Sequence, residues 1–168
     1  ICCGSLSGSC SRAAIHASVC PIGGFKNRRH NSTADVLCEM WEAIGGTAAA
    51  DHRKARNSRG VDVVGNTCTL PSGNQVDLIL YGAGRHGGDI AIDVSFVCVE
   101  ASNSKFDTAI AKREADKNTK YLDECKSVGL EFYPFVLGAH GGFGKSARGL
   151  FKVLVDFAKK LEARDWRH

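Results

Sequence analysis

At 168 residues with 43% hydrophobic content, the chain has the length of one compact domain with a small appendage, and enough apolar residues to build a core. Its richest apolar stretch, Ile90 to Val99, is interrupted by Asp93, so no run nears the roughly 18 apolar residues that span a bilayer, and no membrane partner is expected. The net charge of +4 is bunched at Lys26, Arg28, Arg29 and His30 and again at His52, Arg53, Lys54, Arg56 and Arg59, which suits a polyanionic partner; ordinary solvated charge is the competing reading.

The chain opens on Ile1 without a charged leader and an apolar run, and reads as a fragment of something longer, so its start gives no localisation. Residues 1–25 are rich in Cys, Ser and Gly and lack a sustained apolar period, so a metal is the expected staple. Cys2, Cys3, Cys10, His16 and Cys20 offer enough soft ligands for a tetrahedral structural zinc, the set being Cys2 or Cys3 with Cys10, His16 and Cys20. The remaining cysteines are scattered. Cys98 falls in an apolar strand and Cys38 and Cys125 in helices, so they read as small buried apolar residues in a reducing compartment.

Residues 26–168 read as one domain. Asn31 or Ser32 is expected to cap a helix whose apolar stripe is Val36, Leu37, Met40, Trp41 and Ile44, stopped by Gly45-Gly46. Short strands are expected near Ala48 to Lys54 and Val61 to Val64, with a turn at Pro71-Ser72-Gly73-Asn74. Gln75 to Tyr81 and Asp89 to Val99 read as an antiparallel hairpin around the glycine-rich stretch Gly82 to Gly88. A polar helix follows from Ser104 to about Val128, ended by Gly129. Leu130 to Leu137 reads as a buried strand, and a last helix spans Lys145 to Ala163, with Leu150, Leu154, Phe157, Ala158 and Leu161 on one face. Helix, strands, helix, strand, helix implies an α/β layer structure.

In Val76-Asp77-Leu78 and Ile92-Asp93-Val94 a lone carboxylate stands between apolar residues of a strand, where burying it unpaired costs several kcal/mol. On neighbouring hairpin strands the two can share a divalent cation, since Mg²⁺ takes hard oxygen ligands and needs only one or two carboxylates. The competing reading has each pointing to solvent from a half-exposed strand. Downstream, Lys117 and Lys120 lie three residues apart on one helix face, beside Tyr121. Near a bound metal, such an ammonium orients an attacking water or stabilises charge on a phosphorane-like transition state.

Asp77, Asp93-x-Ser95 and Lys117-x-x-Lys120-Tyr121, preceded by Arg29-His30-Asn31, resemble the restriction-like endonuclease domain of non-LTR retrotransposon proteins, a branch of the PD-(D/E)xK nucleases. The resemblance spans nearly the whole chain, from His16-x3-Cys20 and Gly23-Gly24 to Gly141-Gly142-x-Gly144. It implies a restriction-endonuclease-like core of helix, three strands, helix and strand, with a C-terminal helix and the small Cys/His-rich N-terminal segment. It also implies Mg²⁺ or Mn²⁺ on Asp77 and Asp93, catalytic roles for Lys117, Lys120 and Tyr121, and DNA as the partner, gripped by Lys26, Arg28, Arg29, His30, Arg53 and Lys54. The expected activity is nicking of target DNA inside the cell, in the nucleus, beside a reverse transcriptase or other flanking domains of a longer polyprotein. Val76 stands where the superfamily has proline, and Ser95 where it has its strand lysine, so the lysine role passes to Lys117 or Lys120. Asp35 or Glu39 is the candidate for the acid that many members carry on the first helix.

Ala139-His140-Gly141-Gly142-Phe143-Gly144-Lys145-Ser146 meets a relaxed P-loop pattern. Too little chain follows Ser146 to supply a further strand with a second magnesium-holding acid, so a glycine-rich turn, with backbone N–H groups near a DNA phosphate, is the expectation. The rival to the enzyme reading is a catalytically silent nucleic-acid-binding module of the same fold.

Overall fold

The computed structural model describes residues 25–52, 55–56, 62–63, 68–98, 105–138 and 141–165. Residues 1–24, and with them the candidate zinc ligands Cys2, Cys3, Cys10, His16 and Cys20, lie outside the described residues, as do Arg53 and Lys54.

Helix α1 runs over Phe25–Ala43, starting earlier than the cap residues Asn31 and Ser32 suggest. Those side chains lie inside the helix: Thr33 Oγ1 donates back to the Arg29 carbonyl at 2.9 Å, a bond typical of mid-helix threonine, and Asn31 Oδ1 meets His30 Nδ1 at 3.2 Å. The buried stripe is Ala34, Leu37, Cys38 and Trp41, while Val36 and Met40 face solvent. A four-residue stripe of that spacing already fills the face toward the sheet, so Val36 and Met40 turn away from it.

Strand β1 (Thr47–Ala50) ends at a turn through Asp51 and His52, short of the expected Lys54. Strands β2 (Ala55–Arg56) and β3 (Asp62–Val63) form a small separate ladder. Strand β4 (Leu78–Tyr81) pairs antiparallel with both β1 and β5 (Asp89–Val97), so the expected hairpin forms. The ladder begins only at Leu78. Gln75 bridges Thr69 instead, and the Val76 amide donates to the Cys68 carbonyl at 3.0 Å. Helix α2 (Phe106–Ser127) ends near Gly129 at φ 78° and returns the chain to β6 (Leu130–Gly138), parallel to β5. Helix α3 (Lys145–Asp165) closes the described chain.

The result is a mixed α/β structure with a four-stranded sheet of order β1-β4-β5-β6 and, among the described residues, three α-helices. Alternation along β5 divides the core in two. Ile90, Ile92 and Val94 pack with Leu37, Trp41, Phe135, Leu150 and Leu154 under α1 and α3. Ala91 faces the other way, with Val76, Ile79, Phe132, Tyr121 and Cys125 under α2. Cys38, Cys68 and Cys125 are fully buried, as their apolar reading requires, and burial pushes the Cys125 thiol up to about 11; Cys98, expected inside a strand, instead follows the end of β5 and is only partly buried.

Trp41 is the keystone of the first layer: its ring packs 4.4 Å from that of Phe157, and its Nε1 donates to the Tyr81 carbonyl at 3.2 Å. Gly46 lies flat against the indole, so a β-carbon there would fall inside the ring. Gly46→Ala is therefore expected to lower unfolding free energy by about 1 to 3 kcal/mol in urea denaturation. An unchanged midpoint would contradict the packing described.

A candidate active-site cleft on the α2 face of the sheet

Asp93 is 3% exposed in the middle of β5, and its odd position in the alternation turns it toward α2. There Lys117 Nζ approaches Asp93 Oδ2 at 2.6 Å, Ser95 Oγ donates to the same oxygen at 3.4 Å, and the Tyr121 hydroxyl faces it. Burial first, and the charge of Asp77 second, hold the Asp93 carboxyl above the usual range, with Lys117 and Tyr121 opposing. The Tyr121 hydroxyl is pushed well up by burial and by Asp93.

Asp77 occupies the point where the chain leaves its bridge to residues 68 and 69 and joins β5. Its amide donates to the Ile92 carbonyl at 3.0 Å, and its Oδ2 accepts the Val94 amide at 2.6 Å. Val94 lies beyond the end of the β4 ladder, so the carboxylate stands in for a missing strand partner. Oδ2 also meets His30 Nε2 from the first turns of α1 at 3.0 Å, and that bond raises the imidazole's pKa against the opposing effect of its burial.

Asp77, Asp93, His30, Lys117, Lys120 and Tyr121 all line one cleft of about 440 Å³. Of the paired lysines, Lys117 contacts the buried carboxylate, whereas Lys120 Nζ donates to the Tyr121 hydroxyl at 2.7 Å. The far wall is the turn at residues 73–75, clamped to α2 by Glu124, whose carboxylate accepts the Ser72 amide at 2.6 Å and Asn74 Nδ2 at 3.2 Å. These bonds hold the Glu124 carboxyl below its usual value.

Several expectations land elsewhere. Asp35 pairs with His52 Nε2 at 3.1 Å, and neither Asp35 nor Glu39 lines the cleft. The reason is helical: five residues beyond His30 is a rotation of roughly 140°, so if His30 faces the carboxylates Asp35 cannot. His30 itself, expected at the DNA surface, is inside the cleft. Arg29 stacks its guanidinium 4.2 Å from the Phe96 ring centroid, Arg28 is exposed on α1, and the Lys26 side chain lies outside the described residues. Two amides at the entry to α3 are turned inward. The Ser146 amide donates to Glu114 Oε1 at 2.8 Å and that of Gly144 to the Val136 carbonyl at 2.9 Å, so an internal carboxylate already holds the place a phosphate would take. Asp51, absent from the sequence reading, reaches the cleft wall because its amide is tied to the Asp77 carbonyl at 2.9 Å. No local signal marks it; only strand pairing brings it there.

Searches against models of known protein families and against curated proteins return no match. No described helix is long and apolar enough to cross a membrane.

Two predictions follow from the charges. Because the Asp93 carboxyl titrates above its unfolded value, the ionised form opposes folding at neutral pH. Asp93→Asn should therefore raise the unfolding free energy of metal-free protein in urea denaturation, by on the order of 1 kcal/mol; a loss of stability would mean that the Lys117 pair outweighs burial. His30 has the opposite consequence. Its folded pKa is raised, so the stability it contributes is complete below about pH 6.5 and is lost as pH rises through the folded value. In chelator, native protein should lose stability across that window relative to His30→Gln, and parallel pH profiles for the two would dismiss the pair as a contributor.

Proposed function

We propose that this chain is a divalent-metal-dependent DNA endonuclease domain with a restriction-endonuclease-like core, hydrolysing phosphodiester bonds and nicking target DNA. The observation that carries the reading is the convergence of Asp77 and Asp93 on one cleft, with Asp93 buried, its carboxyl held above the usual range and an ammonium at 2.6 Å. A buried carboxylate whose pKa is raised, set in a polar cleft beside a second acid and an ammonium, is the kind of arrangement active sites tend to contain.

The donor set fits a hard divalent ion. Asp77 and Asp93 supply carboxylate oxygens of the number Mg²⁺ or Mn²⁺ takes, and the cationic partners they already have, His30 and Lys117, mark the place as one that attracts positive charge. When bound, such an ion lowers the pKa of a water and offsets charge on a phosphoryl oxygen.

The protein's own groups account for the rest. Lys117 holds a positive charge beside Asp93, suited to stabilising the extra negative charge of a pentavalent phosphorus transition state. Lys120, bonded to the Tyr121 hydroxyl, supplies a second ammonium on the cleft wall. His30 fixes the orientation of Asp77, and the Val94 amide holds the same oxygen from behind. Exposed Arg28 suits a phosphate contact that positions a duplex without reading its bases. The resemblance adds a structural zinc in the N-terminal segment, nuclear action, and a reverse transcriptase or other flanking domains in a longer polyprotein.

The test is conversion of supercoiled plasmid to nicked circles at low salt, with Mg²⁺ or Mn²⁺ and with chelator. Native protein should nick only with metal, Asp77→Asn and Asp93→Asn should not nick, and Lys117→Ala should be slower by about 10² or more. Lys120→Ala should lose less, because its ammonium meets Tyr121 rather than Asp93. A folded native chain that binds DNA but leaves the plasmid intact under every metal condition would replace the enzyme reading with the silent binding module.

A further inference from the structure

A cavity larger than the candidate active-site cleft is on the other face of the sheet from Asp93. A groove of about 900 Å³ runs between α3 and the loop joining β4 to β5. Its floor includes Tyr133 and Phe157, both half-buried, and its rim carries Arg85 and His86 from the loop and Lys152 and Lys160 from α3. Asp156 is the rim's acid. Among the described residues, no ion pair holds Arg85, Lys152 or Lys160.

The loop is built to hold its shape. The Gly84 amide donates to the Gly88 carbonyl at 2.7 Å, the Gly82 amide to Asp89 Oδ1 at 2.8 Å, and the Arg85 amide to the Glu131 carboxylate. Within this frame His86 adopts φ 58°, ψ 23°, the left-handed region that a side chain disfavours. In a loop otherwise rich in glycine, this conformation is kept by a residue whose side chain lines the cavity.

We propose that this groove binds a segment of single-stranded DNA, with phosphates on Arg85, His86, Lys152 and Lys160 and bases against Tyr133 and Phe157. Cationic walls over an aromatic floor are what an unpaired strand can use in full, because its phosphates and its base faces are exposed together. A duplex hides its base faces and would leave the floor unused. The choice of DNA over RNA as the strand rests on the proposed function, which brings DNA to this chain. This binding goes beyond the hydrolytic reading and needs neither metal nor cleavage.

The experiment is fluorescence anisotropy of a labelled oligothymidylate of about 15 nucleotides, in chelator and at low salt. The full chain is compared with Lys152→Glu/Lys160→Glu, with Arg85→Glu and with Lys112→Glu, a lysine exposed on α2 that lines neither groove, each checked for folding by circular dichroism. The double α3 variant should bind at least about tenfold more weakly and Arg85→Glu several-fold more weakly, with Lys112→Glu within twofold of native. Unlabelled single-stranded DNA should compete better than a duplex or an RNA of equal length, and free thymidine monophosphate should compete poorly. Retained affinity in both groove variants, an equal loss in Lys112→Glu, or stronger competition by duplex, RNA or the free nucleotide would overturn the proposal. Plasmid nicking is read separately, so a chain that does not cut can still bind the strand, and one that cuts can fail to.

Discussion

A carboxylate at 3% exposure in an inner strand of a sheet cannot be left without a partner, and Asp93 is in that position. Isolated burial of such a charge costs several kcal/mol, and the compensation has to come from whatever packs on its face of the sheet. That element is α2, the crossover that a parallel β5–β6 pair requires. With Lys117 at 2.6 Å and Tyr121 a turn later, α2 brings charge and hydroxyl to the one depth of the sheet where they are needed. The requirement is local to Asp93, yet it constrains how α2 lies across the strands.

The same helix organises the loops around the cleft. Glu114 accepts an amide at the start of α3, and Glu124 holds the turn at residues 72–74 that forms the wall opposite. Both are acids on a polar helix whose exposed face would otherwise read as solvated charge. One of them, Glu114, takes an amide of the P-loop-like segment, so that amide at the start of α3 is satisfied from within the protein.

Helix α1 divides its work along its length. Its C-terminal half buries Leu37, Cys38 and Trp41 against the sheet, while His30, nearer its start, reaches Asp77 just before β4. The cleft thus takes residues from α1, from the β4 approach, from β5 and from α2, and a shift of any one alters the others. The two grooves occupy opposite faces of the sheet and share no lining residue, which leaves each free to be altered alone.

How much of this could be read from the chain depends on the range of the interaction. The helices, the β4–β5 hairpin, the turn at Pro71 and the pair Asp77 and Asp93 were legible, because apolar periodicity, glycine turns and a carboxylate flanked by apolar residues are signals carried by neighbours in sequence. The start of α1 was not, since Asn31 and Ser32 are cap residues by type and interior residues by position. Spacing put Lys117 and Lys120 on one face; the register of α2 on β5 set which of them meets Asp93. His30 at Asp77, Asp51 on the cleft wall, Asp35 turned to His52 and the groove behind Tyr133 were decided by tertiary structure alone. Each depends on residues distant in sequence meeting at one sheet, and no local pattern encodes where two such segments come to rest against each other.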